Sequence, residues 1–218
     1  GVMAFGIDIT DKVKAGENII AVKTDNDWQY RERAKGKDGQ ERNAKFQWHD
    51  HNFYANYGGL PKGVTLHVMN KVYQTLPLFR NLQTTGVYVY GKNYDIKKRC
   101  AIVHAESEIK NETAENKTFT YEVTVKEVDG KVLKTFSGGK FTVKAGQAAM
   151  AKAESKLTGL HFWAPGYGYL YNVETVLVDE NGTIFDKVVT RTGFRKTKFA
   201  EGKIWLNYGR AGSRKSLL

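Results

Sequence analysis

Apolar and polar residues alternate in several short rows along the chain. The clearest rows cover residues 5–9, 64–68, 119–125 and 171–177. Successive side chains of a β-strand point to opposite faces, so each row predicts a strand with its apolar residues on one face. We find no convincing helical period, and the pattern therefore predicts an all-β protein.

Glycine-containing pairs separate many of these rows. Asp129-Gly130 and Asn181-Gly182 each lie between two strand-like segments, and each predicts a hairpin with a two-residue type I′ turn. Gly138-Gly139 predicts a third hairpin. Pro77 cannot donate to a central ladder, which indicates a boundary near residues 72–82. After it come about seven strand candidates, which is typical of an immunoglobulin-like β-sandwich.

The balance of charge and apolar residues excludes several classes of protein. The net charge is +11 over 218 residues, but the lysines are spread along strand-like segments, so we predict no nucleic-acid partner. No run of about 18 apolar residues is present, so we predict no membrane span. The first ten residues show no signal-peptide pattern and read as a strand, and we expect the chain to be cut from something longer.

Candidate chemistry is concentrated in residues 46–66, where aromatic, amide and histidine side chains are mixed. His49 and His51 would share one face of a strand, but a third metal ligand is missing from the pattern, and we predict no metal and no cofactor. A solvated loop and a loop that lines a binding cleft are equally favoured here. Cys100, the only cysteine, is predicted to be a small buried apolar residue.

A second aromatic stretch, FWAPGYGYLY, covers residues 162–171. Its aromatic rings could stack on a ligand, or they could pin a structural joint. Pro165, Gly166 and Gly168 interrupt pairing directly before the row at 171–177, and this favours the joint.

Four stretches follow one another along the chain: FGIDITDKVKAGENIIAVKTDN, FYANYGGLPKGVTLHV, LHFWAPGYGYLYNVETVLVD and RTGFRK. Together they resemble glycoside hydrolase family 2, the family of β-galactosidases, β-glucuronidases and β-mannosidases. The first two are similar to the later strands of its sugar-binding jelly roll. LHFWAPGYGYLYNVETVLVD and RTGFRK resemble its immunoglobulin-like domain, and IWLN resembles the hairpin that enters its catalytic barrel. The resemblance implies part of a jelly roll at 1–72, the sandwich at 73–195, and a lead-in with an atypical tail at 196–218.

The resemblance also implies a function for the whole enzyme. It would be a retaining β-glycosidase, with β-galactosidase favoured, whose catalytic glutamates lie in a barrel beyond this chain; the chain alone would hold no catalytic residue. By position in the family, Asp50 and Asn52 would contact the sugar. Trp48 and Tyr54 would face its C–H surface, or would pack under their own loop.

Alternatives from other classes stay open at this point. The chain could be an independent carbohydrate-binding module, or a structural or adhesion-type sandwich. We expect the parent enzyme to be bacterial, and periplasmic or secreted. We also expect self-association, because a partial jelly roll leaves ladder groups and apolar surface uncovered.

Overall fold

The computed structural model describes residues 5–24, 33–35, 41–43, 59–60, 62–77, 80–200, 202–207 and 209–210; for 33–35, 41–43, 80 and 209–210 it describes the backbone alone. Apart from one 3-10 turn at Arg80–Leu82, the regular structure of these residues is entirely β, which confirms the all-β prediction. Within this part of the chain, no helix has the length and apolar character needed to cross a membrane.

Thirteen strands are described. They are β1 (Arg33–Lys35), β2 (Glu41–Asn43), β3 (Val72–Gln74), β4 (Val87–Asp95), β5 (Cys100–Asn111), β6 (Lys117–Glu127), β7 (Val132–Val143), β8 (Ala148–Leu157), β9 (Tyr171–Val178), β10 (Ile184–Thr192), β11 (Thr197–Ala200), β12 (Lys203–Leu206) and β13 (Gly209–Arg210). The chain divides into two compact units, Ile9–His67 and Gly1–Asp8 with Val68–Leu218. The first contains the β1–β2 hairpin, and the second contains all the other strands.

The second unit is built around two four-stranded antiparallel sheets. In one sheet β5 is central, with β3 and β4 along one side and β8 along the other. The other sheet has the order β10-β9-β6-β7. These sheets form the immunoglobulin-like sandwich, and β4 to β10 supply the seven strands expected after Pro77. A separate three-stranded sheet, β11-β12-β13, follows it.

The core lies between the two sheets and follows the predicted parity. The odd-numbered side chains of β5, of β9 and of residues 119–125 in β6 are buried; examples are Phe119, Tyr121 and Leu177. Full burial of one large apolar side chain contributes about 1.5–3 kcal/mol. Cys100, at the start of β5, is buried and unpaired, which confirms its prediction as a small core residue.

A polar network is enclosed within this apolar core. Gln74 of β3 is fully buried, and its Oε1 accepts hydrogen bonds from Ser107 at 2.9 Å and Thr175 at 2.6 Å. The Gln74 amide nitrogen donates to the Thr175 carbonyl at 3.1 Å, and the Ser107 hydroxyl lies 2.7 Å from the Tyr121 hydroxyl. The Gln74 backbone N–H donates to the Asp186 carboxylate at 2.8 Å. Because unpaired buried polar groups are costly, this network specifies how the two sheets align.

Two predicted hairpins are confirmed, but their turn type is wrong. Only the glycine of each pair has positive φ, 95° at Gly130 and 82° at Gly182, whereas a type I′ turn needs positive φ at both central residues. The Glu127 N–H donates to the Lys131 carbonyl at 2.8 Å, which leaves a three-residue loop. The Asp129 carboxylate accepts the Lys131 N–H at 3.0 Å, and this bond favours the longer loop.

The third predicted hairpin, at Gly138-Gly139, is wrong. β7 continues through both glycines, and its pairing with β6 shifts register opposite them. Gly139 has φ of 89°, and a Cβ on Gly138 would lie 2.0 Å from the Lys152 carbonyl oxygen of β8. The glycines therefore form a bulge where β7 approaches β8, instead of a turn.

The strands predicted at 5–9 and 64–68 are not formed in the described residues. Ile7 is 71% exposed and Leu66 67% exposed, so their apolar rows face solvent. A period-2 pattern needs a neighbouring strand for its backbone groups and an opposite layer for its apolar face. The described residues of these segments have neither.

Candidate functional site: the joint between the sandwich and the C-terminal hairpin

The loop between β8 and β9 carries the aromatic stretch 162–171. Ala164 and Tyr167 exchange backbone hydrogen bonds of 3.0 and 2.9 Å across a turn in which Gly166 has φ of 79°. Phe162 is buried and meets the Tyr94 ring edge-on at 5.7 Å. Glycine and proline thus fold the loop back, and its first ring packs against the sandwich.

His161 lies at the start of this loop among three tyrosines. Its ring stacks on Tyr169 at 4.5 Å, and its backbone N–H donates to the Tyr171 hydroxyl at 2.7 Å. Burial raises the pKa of Tyr171 to about 12, so its hydroxyl is neutral at ordinary pH. The histidine and the three tyrosines therefore form one aromatic cluster.

Both ring nitrogens of His161 are engaged. The Arg99 guanidinium, which also donates to the Leu160 and Gly159 carbonyls, lies 2.8 Å from Nε2. A guanidinium can only donate, so Nε2 accepts, and the neutral ring carries its proton on Nδ1, which lies 3.0 Å from the Tyr167 hydroxyl. The ring is held in one orientation with no nitrogen left for a ligand.

Trp163 and Asn207 connect the sandwich to the hairpin β11–β12. The Trp163 N–H donates to the Phe194 carbonyl at 2.8 Å, and its carbonyl accepts from the Asn207 side-chain amide at 3.1 Å. The Asn207 Oδ1 accepts the Lys196 N–H at 3.1 Å, and the Asn207 N–H donates to the Lys196 carbonyl at 2.8 Å. Three chain segments therefore meet at one asparagine, which we call the Asn207 clamp.

Side chains reinforce the clamp. The Arg195 guanidinium lies 5.1 Å from the centre of the Trp163 ring, within the range of a cation–π contact. A Cβ on Gly193 would lie 2.9 Å from the Trp163 Cβ, so the closeness of these two segments requires glycine. These contacts are structural, and they fix the direction in which the chain leaves the sandwich.

The site residues predicted from sequence, Trp48, Asp50, Asn52 and Tyr54, lie outside the described residues, as do His49 and His51. Among the described residues, no group of three His, Cys, Asp or Glu side chains is placed to hold a metal ion. The clamp itself was not predicted, although its members lie in the WAP, GFRK and IWLN motifs. All three motifs resemble the same enzyme family, and this shared resemblance was the signal that could have predicted their contact.

A comparison with models of protein families shows which family the sandwich resembles. Residues 88–195 match the family described as glycosyl hydrolases family 2. These residues form a family 2 domain. The match covers β4 to β10 and ends at Arg195 of the joint.

Similarity to individual proteins extends beyond residues 88–195, to the residues before and after the family 2 domain. The chain is 33% identical over 209 residues to a β-glucuronidase of Formosa agariphila, which covers 95% of the chain and 20% of the relative. A solved family 2 β-glucuronidase is 31% identical, with a TM-score of 0.78 over 94% of the chain and 20% of the other protein. The β-glucuronidase of Bacteroides uniformis shares the fold, at 24% identity and a TM-score of 0.53, over 63% of the chain and 16% of that protein. The chain spans about a fifth of the length of the relatives it matches.

Proposed function

We propose that this chain is a non-catalytic part of a retaining family 2 β-glycosidase, and that the whole protein cleaves β-glucuronides. The sequence favoured a β-galactosidase. The names of the relatives support a β-glucuronidase instead, since two relatives that are 33% and 31% identical to the chain carry that name. The part played by the chain is to hold the catalytic portion and to complete one wall of the sugar site.

The Asn207 clamp is the observation that carries this proposal. Asn207 bonds both to Trp163, in the loop before β9, and to Lys196, directly after the family 2 domain. Such a clamp transmits the orientation of the sandwich to whatever follows the hairpin. A scaffold for a catalytic domain needs this rigidity, because a displacement of about 1 Å at an active site can cost about 100-fold in rate.

The carboxyl groups of the sandwich agree with a non-catalytic role. A glycosidase needs a general acid with a raised pKa. The described carboxyl groups with a displaced pKa are displaced downward: a hydrogen bond from Tyr90 lowers the pKa of Glu106, and Lys117 and Lys126 do the same for Glu115 and Glu174. These groups are ionised near neutral pH and serve as acceptors.

The loop that holds Trp48, Asp50, Asn52 and Tyr54 remains part of the proposal. We propose that Asp50 and Asn52 bind sugar hydroxyls and that the two aromatic rings cover the sugar's C–H face. We also propose domain boundaries at 72/73 and 195/196. In the full-length enzyme, Asp50→Ala and Asn52→Ala should raise KM more than they lower kcat; unchanged kinetics in both variants would remove the loop from the site.

The first experiment compares two substrates in two proteins. The purified chain should not release nitrophenol from the β-glucuronide or the β-galactoside, whereas the full-length protein should cleave the glucuronide. Turnover by the chain alone would overturn its non-catalytic role. Cleavage of the galactoside alone by the full-length protein would overturn the proposed substrate.

A second experiment tests the clamp with Asn207→Ala and a matched control, Asn93→Ala. Both asparagines have positive φ, 52° and 50°, so both substitutions carry the same backbone strain. Asn93 is exposed, and only Asn207 makes side-chain hydrogen bonds across the joint. We expect Asn207→Ala to lower kcat/KM for the glucuronide well below the value of Asn93→Ala. Equal values would show that the clamp does not orient the catalytic part.

Self-association of the chain is also proposed. Apolar side chains such as Ile7, Val64 and Leu66 are between 67% and 72% exposed, and contact with another copy would cover them. Sedimentation should show a molecular mass that rises with concentration. A constant monomer mass across the concentration range would contradict the proposal.

A further inference from the structure

The outer face of the β4–β5–β8 sheet carries two rows of paired side chains. Strand register places Tyr88 opposite Glu106 and Glu106 opposite Lys152; in the next row Tyr90 faces His104, and His104 faces Glu154. The odd-numbered residues of β5 point into the core, so these even-numbered residues point away from it. We call this set the tyrosine face; its members are Tyr88, Tyr90, His104, Glu106, Lys152 and Glu154.

One ring of the tyrosine face is open. Tyr90 is covered, because its ring is parallel to His104 at 5.0 Å and the Lys92 ammonium lies 5.2 Å from its centre. His104 is held in turn by Glu154, whose Oε2 lies 2.9 Å from Nδ1. Tyr88 lies 4.9 Å from Tyr90 at an angle of 31° and is 60% exposed. The packed pair thus supports Tyr88 from one side and leaves it free to stack on a ligand.

A carboxylate oxygen beside this ring is open as well. Glu106 Oε1 accepts the Tyr90 hydroxyl at 2.7 Å and lies 3.5 Å from the Lys152 ammonium. Glu106 Oε2 takes part in neither of these contacts, and the Glu106 side chain is 25% exposed. The hydrogen bond from Tyr90 lowers the pKa of Glu106, which keeps the group ionised at neutral pH.

These groups match the chemistry of a sugar ring. A pyranose offers a C–H face for Tyr88 and hydroxyl donors for Glu106 Oε2, and the Lys152 ammonium can donate to a hydroxyl oxygen. Side chains of Lys152 and Glu154 are 64% and 63% exposed, and a dry protein interface would have to desolvate both. A bound glycan would leave the Lys152 and Glu154 side chains hydrated. The negative Glu106 oxygen further favours a neutral sugar over a uronate.

We propose that the tyrosine face binds a neutral pyranose unit of a glycan. This binding goes beyond the proposed function, since it needs neither the catalytic portion nor a glucuronide. It would attach the protein to a polysaccharide by a surface of the sandwich.

The test is an NMR titration of the chain with cellotetraose, and with methyl β-D-glucuronide for comparison. We expect saturable shifts at Tyr88 and Glu106 with cellotetraose and weaker ones with the glucuronide. Tyr88→Ala should weaken binding about tenfold or more, whereas Tyr88→Phe keeps the ring and should bind as the parent does. Glu106→Gln should weaken binding less than Tyr88→Ala, because an amide oxygen can still accept.

Tyr167→Ala is the matched control, because Tyr167 is an exposed tyrosine at 41% in a different part of the sandwich, and its loss should leave cellotetraose binding unchanged. The unfolding temperature of Tyr88→Ala should equal that of the parent, since the ring packs little. No saturable shift, or equal binding by Tyr88→Ala, would overturn the proposal. The proposal would also be overturned if Tyr88→Ala abolished self-association while cellotetraose caused no shifts in the parent chain. The tyrosine face would then be a contact between protein copies. Neither result bears on glucuronide cleavage by the full-length enzyme.

Discussion

Two regions of this chain carry the same alternating pattern with opposite results. In β6 and β9 the apolar positions are fully buried between two sheets, whereas at 5–9 and 64–68 they are exposed and no strand forms in the described residues. The two regions do not differ in local preference for β-structure, since both are rich in β-branched and aromatic residues. They differ in whether another strand and another layer are present, so alternation alone does not establish a strand.

The largest expected effect separates two leucines. Leu177 of β9 is fully buried, and Leu177→Ala should lower the free energy of unfolding by about 2–5 kcal/mol through lost burial and the cavity left behind. Leu66 is 67% exposed, and Leu66→Ala should change it by less than about 0.5 kcal/mol. Urea unfolding of both variants measures the difference. Similar losses would mean that residue 66 is buried in solution, and the contrast between the regions would be wrong.

A smaller effect separates two glycines. Gly138→Ala would place a methyl group 2.0 Å from the Lys152 carbonyl, and relief of this clash should cost about 1–3 kcal/mol of stability. Gly63, which lies between the exposed apolar residues Leu60 and Val64, has no atom within 4 Å of its Cβ position and no positive φ. Gly63→Ala should therefore be close to neutral in the same assay. If Gly138→Ala were neutral too, β7 and β8 would not approach as described.

The smallest expected effect on stability comes from the ionisation of buried tyrosines in the sandwich. It is absent near neutral pH and begins only at alkaline pH. Burial raises the pKa of Tyr121 and of Tyr171 from 10.0 to about 12. The folded state then holds these protons more tightly than the unfolded state, so the contribution to stability is complete below about pH 10 and is lost as the pH rises towards 12.

Absorbance at 295 nm follows this ionisation directly. Part of the tyrosine signal should titrate near pH 12 in the folded chain and near pH 10 in urea. Tyr121→Phe should remove one late group and reduce the loss of stability between pH 10 and 12. A single transition near pH 10 in the folded chain would contradict the burial of these hydroxyls.

Much of the sandwich was predictable from sequence because its determinants are local. The parity of residues 119–125 and 171–177 and the glycines at 130 and 182 were enough to place β6, β9 and two hairpins. The bulge at Gly138-Gly139 was not predictable, since a glycine pair is equally typical of a turn and only the approach of β8 distinguishes the two. The Asn207 clamp joins residues 44 positions apart, which no short-range pattern encodes. The loop predicted to bind sugar stays a prediction.

The Gln74 network sets an order of events during synthesis. Gln74 leaves the ribosome with the first strand of the sandwich, but its partners Thr175 and Asp186 follow 101 and 112 residues later. At about 5–20 residues per second, β3 waits roughly 5–20 s before these bonds can form. Until β10 is made, β3 is held by its pairing with β5 and by Ser107, while its bond to Asp186 of the opposite sheet is missing.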